Sequence, residues 1–392
     1  MRATLLLVAA VATLTACTET PTEIVQSPTQ TVNTPLFNEV EGPAEVEGEV
    51  GSGALYGLYL PADWNGDLVL YAHGYTSPDA PIALPAGAEA DALRDALLDL
   101  GYGVAWSSYS ENGYAVKEGV RQTRQLRRLF ATNFGWPKRT YLMGHSLGGL
   151  ITLSLAEKHP RLFDGALPLC GPIGGGALEV DYIYDARVLF DYFYPGVLPG
   201  DALNVPEGLD FGADVVPAVF AAVSGNPAPA FQMAAVDQIE LPFTTPGELI
   251  NSILSALFFS TVGTADFFDR IGGDFFENST TVYSGSLDDD ALNAGVDRFQ
   301  RTRRAGRYFK RWYQPRGKLK IPVLTVHTSM DPIVPLFHEP AYEAIAASAG
   351  RSDYLVQRTV DRYGHCTFTG PETITAFLDL VNWVEDGVVP TP

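Results

Sequence analysis

Residues 139–158 read R-T-Y-L-M-G-H-S-L-G-G-L-I-T-L-S-L-A-E-K. The run 139–143 is apolar and β-prone, and 147–158 has the make-up of a helix. Between them lies Gly144-His145-Ser146-Leu147-Gly148, so the chain passes from strand to helix across a serine. Small residues at 144 and 148 let the backbone turn sharply and let the helix pack close behind it. The helix N-terminus then favours negative charge developing beside the serine hydroxyl. A phosphate-binding strand-to-helix turn is the competing reading of such glycines. That reading asks for a G-K-[ST] sequence, and none accompanies this turn.

Outward from this corner, short β-rich runs alternate with helical patterns. Strands are predicted at 53–60, 67–72, 103–108 and 163–169. Helices are predicted at 88–100, with Leu93, Leu97, Leu98 and Leu100 on one face, and at 115–134, with Val120, Leu126, Leu129 and Phe130 inward. The alternation resumes near the C-terminus with strands at 321–327 and 354–360 and helices at 340–349 and 371–385. This is an α/β pattern, a mostly parallel sheet flanked by helices. The core is expected in two parts, 41–171 and 321–392.

Residues 172–320 interrupt it. A structureless connection of that length is implausible in a compact domain, so a mainly helical cap or lid insertion is expected there. Thr245 and Glu248 form a capping-box signature ahead of Leu249, Ile250, Ile253, Leu254 and Leu257. A second helix is predicted over 288–312, basic at its C-terminal end. Tyr182, Tyr184, Phe190, Tyr192, Phe193 and Tyr194 read as the core of the insertion.

Composition bounds the rest. The chain has 392 residues, 46% of them hydrophobic and 18% charged, which suits a globular protein and not a disordered one. A formal net charge of -20 makes nucleic acid and anionic membrane surfaces poor partners. At the N-terminus, Arg2 precedes a short apolar run and then Leu14-Thr15-Ala16-Cys17, which resembles the lipobox of bacterial lipoproteins. The resemblance implies a signal peptide over 1–16, acylation of Cys17 as a membrane anchor, and export to the cell envelope. The apolar run is too short to span a bilayer itself. Residues 17–40 are polar and Pro/Thr-rich, a flexible tether.

The order serine, acid, histidine, with His73-Gly74-Tyr75 after the 67–72 strand, resembles the α/β-hydrolase superfamily from about residue 53 to the C-terminus. The resemblance implies that Ser146 is a nucleophile and that the backbone N–H groups of Tyr75 and Leu147 form an oxyanion hole. The catalytic acid is expected beyond the 321–327 strand. Asp331, in Thr328-Ser-Met-Asp-Pro-Ile-Val-Pro335, stands at that place, with Asp353 and Asp361 as rivals. Of the six histidines, His73 and His145 belong to turns, His159 ends a helix, His327 lies in a strand and His338 opens a helix. His365 follows the last strand on a loop and is the expected base.

Cys366 directly follows that histidine, and Cys170 ends the strand after the Ser146 helix. The His-Cys pair is similar to that of tannases and feruloyl esterases, in which a disulfide couples the serine and histidine segments. A Cys170–Cys366 disulfide is therefore expected, although here His145 and not cysteine precedes Ser146. With scattered histidines and no C-x-x-C, no metal site or cofactor is expected. A Ser146-Asp331-His365 triad would cleave a small-molecule or polymeric carboxylic ester through an acyl-enzyme. Two alternatives stand beside this: a capped serine peptidase of the proline-aminopeptidase kind, and a non-catalytic surface lipoprotein that only binds.

Overall fold

Eight strands form one sheet in the order β1-β2-β4-β3-β5-β6-β7-β8. In the computed structural model, residues 42–392 are described; the expected signal peptide, tether and Cys17 lie outside them. The strands are β1 (Ala44–Val50), β2 (Ala54–Leu60), β3 (Leu68–Ala72), β4 (Gly103–Tyr109), β5 (Thr140–His145), β6 (Gly165–Leu169), β7 (Val323–Met330) and β8 (Leu355–Tyr363). Strands β1 and β2 pair antiparallel, β2 joins β4 antiparallel, and from β4 onward every pairing is parallel. This topology, with helices on both faces, is the α/β-hydrolase fold.

Helices α1 (Ala88–Asp99), α2 (Val116–Phe134) and α3 (Leu147–Lys158) make the early crossovers. Every residue of β4 and β6 is buried, as expected for parallel strands covered on both faces. The edge strand β1 escapes the sequence reading. Its A-E-V-E-G-E-V alternates partly buried and exposed positions, and its glutamates leave too little apolar signal. Such charged side chains also discourage edge-to-edge association.

Between β6 and β7 the chain forms seven α-helices, α4 (Gly176–Phe193), α5 (Val216–Gly225), α6 (Ala228–Ala234), α7 (Pro246–Val262), α8 (Thr264–Ile271), α9 (Asp289–Gly295) and α10 (Arg303–Trp312), with a π-helical turn at Phe211–Val215 leading into α5. Thr245 caps α7 through the Glu248 N–H, and the Glu248 side chain bonds back to the Thr245 N–H. Tyr182, Tyr184 and Phe190 of α4 are buried in a core continuous with one face of the sheet. After β7 come α11 (His338–Ser348), β8 and the final α12 (Gly370–Asp386).

The structure corrects two expectations. Residues 288–312 are not one helix, because 296–302 separates α9 from α10. There the backbone pairs elsewhere: Phe299 donates to Asn278 Oδ1 at 2.6 Å, and Asp297 O accepts from Asn278 Nδ2 at 2.8 Å. Thr302 then caps a new helix by accepting from the Ala305 N–H. Leu100, predicted on the apolar face of α1, is 41% exposed at the helix C-cap.

Candidate active site

Ser146 stands between β5 and α3 with φ 57° and ψ −126°, a strained setting for a residue with a side chain. The flanking glycines permit it. A Cβ at Gly144 would lie 2.4 Å from Gly148 O, and one at Gly148 would lie 2.0 Å from Ala72 O. Those contacts would push the helix off the sheet. The Ser146 N–H donates to Leu169 O at 2.9 Å, which fixes the corner to β6.

His365 arrives from the far edge of the sheet. Its loop follows β8 and is pinned to the end of β7, where Gly364 donates to Met330 O at 2.9 Å and Thr328 Oγ1 donates to Gly364 O at 2.7 Å. Next to it, Cys366 forms a disulfide with Cys170, at the end of β6. The strand register sets His145 opposite Leu169, so the bridge ties the histidine loop to the strand beside Ser146.

The structure brings the three expected residues together. His365 Nε2 lies 2.8 Å from Ser146 Oγ, and His365 Nδ1 lies 2.6 Å from Asp331 Oδ2. Asp331 Oδ1 accepts the N–H groups of Ile333 at 2.9 Å and Val334 at 3.0 Å. Burial alone would raise the Asp331 carboxyl. The His365 ring with its hydrogen bond, and the His327 ring 3.6 Å away, outweigh it and hold Asp331 well below the usual carboxylate range. Of its rivals, Asp361 accepts from Ser329 Oγ at 2.9 Å, and neither it nor Asp353 joins the His365 hydrogen bonds.

Gly74 lies against the serine, since a Cβ there would be 3.2 Å from Ser146 Cβ. The Tyr75 N–H follows Gly74 in the chain, and the Leu147 N–H opens α3. Among the described residues, neither N–H donates to a protein acceptor. His73 is structural: its ring stacks on Tyr109 at 3.9 Å, and Nδ1 lies 2.8 Å from Gly74 O. Burial lowers its pKa. His145, 3.2 Å from the Tyr71 hydroxyl, is pushed down to about 4 by burial and by His365.

Sequence reasoning missed a layer behind Asp331. His327, Glu339, His338 and Glu179 are all buried, and they converge there from β7, α11 and α4. A legible signal existed. Thr325 and His327 are polar residues two apart in the otherwise apolar run 321–327, hence on one face, and both contact Glu339. Elsewhere, a groove of about 470 Å³ is lined by Arg316, Lys318, Ala344, Ile345, Ser348 and Ala349, none of which belongs to this site.

Neither a family model nor a curated protein matches this chain. Solved structures similar to it include feruloyl esterase B from Aspergillus oryzae, at 14% identity over 88% of this chain and 80% of that one, TM-score 0.48. Candida antarctica lipase A in its closed state is similar at 15% identity over 89% and 78%, TM-score 0.46. Pyrococcus horikoshii acylaminoacyl peptidase is similar at 10% identity over 90% of this chain and 42% of that one, TM-score 0.44.

Proposed function

We propose that this chain is a serine hydrolase that cleaves carboxylic esters. The observation that carries the reading is the unbroken line from Ser146 Oγ through His365 to Asp331, at 2.8 and 2.6 Å. Neutral His365 accepts the serine proton as Oγ attacks the ester carbonyl, and Asp331 fixes its tautomer and stabilises the imidazolium. The carbonyl oxygen, now negative, is received by the N–H groups of Tyr75 and Leu147. His365 returns the proton to the departing alcohol. Water, activated by the same histidine, then releases the acid from the acyl-enzyme.

Helices α4–α10 serve as a cap over this site. Three contacts to the loops around it support that role. Tyr182 of α4 donates to Pro332 O at 2.7 Å, Tyr363 donates to Glu248 O at 3.1 Å, and the rings of Tyr75 and Phe259 sit 5.0 Å apart. An aromatic-rich cap suits esters with a bulky or aromatic acyl group. A peptidase reading would need a cap carboxylate free to receive a substrate ammonium. Glu179, the α4 carboxyl that faces Asp331, is instead buried and bonded to His338 at 2.8 Å.

Export and anchoring through Cys17 complete the reading. The lipobox-like Leu14-Thr15-Ala16-Cys17 and a disulfide suited to an oxidising compartment support it. Replacing Cys17 with serine is expected to move the protein out of the membrane fraction.

A fluorophosphonate probe is expected to label the wild type and not Ser146→Ala. Nitrophenyl esters should be hydrolysed and prolyl nitroanilides left intact. Preference for the anilides would establish the peptidase instead, and no labelling at all would leave a binding lipoprotein.

A further inference from the structure

His327 is fully buried, and both of its ring nitrogens face acceptors. Nδ1 lies 3.2 Å from Glu339 Oε1; Nε2 lies 2.7 Å from the Val334 carbonyl and 3.6 Å from Asp331 Oδ2. A carbonyl oxygen can only accept, so Nε2 carries a proton. Glu339 is itself a receiver: its Oε2 accepts from Thr325 Oγ1 at 2.6 Å and from Gln357 Nε2. With those donors on Oε2, Oε1 is the acceptor that faces Nδ1, and Nδ1 supplies the proton on the Glu339 side.

We infer that His327 is a positioning residue for the triad: a permanent imidazolium, locked between Glu339 and the Val334 carbonyl, that stands behind Asp331. Its catalytic consequence rests on the ester-hydrolase reading above; its charge state does not. The Asp331 and Glu339 carboxyls beside it, Glu339 accepting from Nδ1, outweigh burial and raise the ring to about 10. The groups packed around it are consistent with a fixed cation. His338 accepts the Gly174 N–H on Nδ1 at 3.1 Å and faces Glu179 with Nε2, so it takes one neutral tautomer. Burial and the His327 charge push it down to about 3. Burial and Asp331 hold Glu179 well above the usual range. The Tyr182 hydroxyl, also near Asp331, is raised by burial and stays neutral.

The resting network therefore holds two carboxylates, Asp331 and Glu339, against one cation, for a net charge of minus one. When His365 takes the serine proton, the network becomes neutral. Without the imidazolium, two uncompensated buried carboxylates would favour a charged His365 before substrate arrives, and Asp331 would lose a partner for its ionised form. Both effects push activity in the same direction, toward higher pH.

Two measurements test this. In the intact protein labelled with ¹⁵N-histidine, His327, assigned through its side-chain-to-backbone correlations, is expected to show both ring nitrogens protonated and unchanged from pH 5 to pH 9. A neutral tautomer at pH 8 overturns the proposal, and this readout needs no variant to fold. In His327→Gln, the acid limb of kcat/KM for a nitrophenyl ester is expected to move up by about one pH unit. The alkaline plateau should stay within about tenfold of wild type. A lower plateau with an unmoved limb would make His327 a packing residue only. Failure of fluorophosphonate labelling sinks the triad reading, and the positioning role with it, even where the spectra find the cation.

Discussion

Helix α4 and the end of β7 both bury carboxyls, and they treat them oppositely. On α4, Glu179, Asp181, Asp185 and Asp191 are all raised, Asp181 and Asp191 to about 6 and Asp185 to about 8, with burial as the leading cause each time. At the end of β7, Asp331 is as deeply buried and is depressed. Charge partners alone do not explain the contrast, since Asp181 has Arg301 and Asp191 has Arg187 at 2.8 Å. Asp331 differs in receiving two backbone N–H groups on one oxygen and His365 on the other, with His327 behind it. The lesson is that a full set of oriented donors turns a buried carboxyl into a working anion, whereas the one or two donors on each of the α4 aspartates leave burial in charge.

The sharpest way to break this comparison is Asp331→Asn. The amide keeps an oxygen for the Ile333 and Val334 N–H groups but cannot hold the charge that fixes His365. A fall in kcat of about 10⁴-fold is expected against nitrophenyl esters. A loss of less than tenfold would mean that the ionised state of Asp331 does not matter to catalysis. Next in size is the Cys170–Cys366 bridge, which holds the histidine loop beside the donor set across a sequence separation of 196 residues. The double serine variant is expected to lose about 3 kcal/mol of stability by denaturant titration, and a change below about 0.5 kcal/mol would show that the loop is positioned without it.

The α4 side of the comparison has its own test in Asp185. It accepts a hydrogen bond from Tyr283 at 2.5 Å and holds its proton to about pH 8, whereas in the unfolded chain it ionises near the ordinary value of about 4. Because the folded pKa is raised, its stability contribution is present below about pH 4 and is lost as pH rises through about 8. Asp185→Asn cannot titrate, so the fall in stability between pH 5 and pH 8 should shrink by an amount on the order of 3–4 kcal/mol. Parallel melting curves of the two proteins across that range would expose an error in this assignment.

These predictions also show what the sequence made legible. Ser146, Asp331 and His365 each sit where a local pattern announces them: a glycine corner after a strand, an aspartate just past a strand, a histidine on the loop after the last strand. The α/β alternation was readable because β4 to β7 are buried runs bounded by turns. The acidic edge β1 was not: its A-E-V-E-G-E-V keeps the period of two, but its inward residues are small and only partly buried, so the apolar signal is weak. Nor was the break between α9 and α10, which depends on Asn278, some twenty residues upstream. The His327 network was the least accessible. Thr325 and His327 hint at it as polar residues two apart on one strand, but their partners Glu339, His338 and Glu179 are found only when β7, α11 and α4 meet.

The smallest effect probes whether donors can depress a carboxyl that is not deeply buried. Glu372, in the first turn of α12, is only partly buried, yet Arg362 and the Thr369 N–H and hydroxyl pull it down to about 2. Thr369 in turn caps α12 by accepting the Glu372 N–H at 3.3 Å. Replacing Thr369 with alanine removes the hydroxyl from both arrangements and is expected to cost about 1 kcal/mol of stability. Because α12 lies in sequence beyond the His365 loop and adds no group to the triad, kcat/KM should be unchanged at every pH. A shifted pH profile would mean that the surface carboxylate and the buried donor set are coupled through that loop, and that the two ways of making an anion in this fold are not independent.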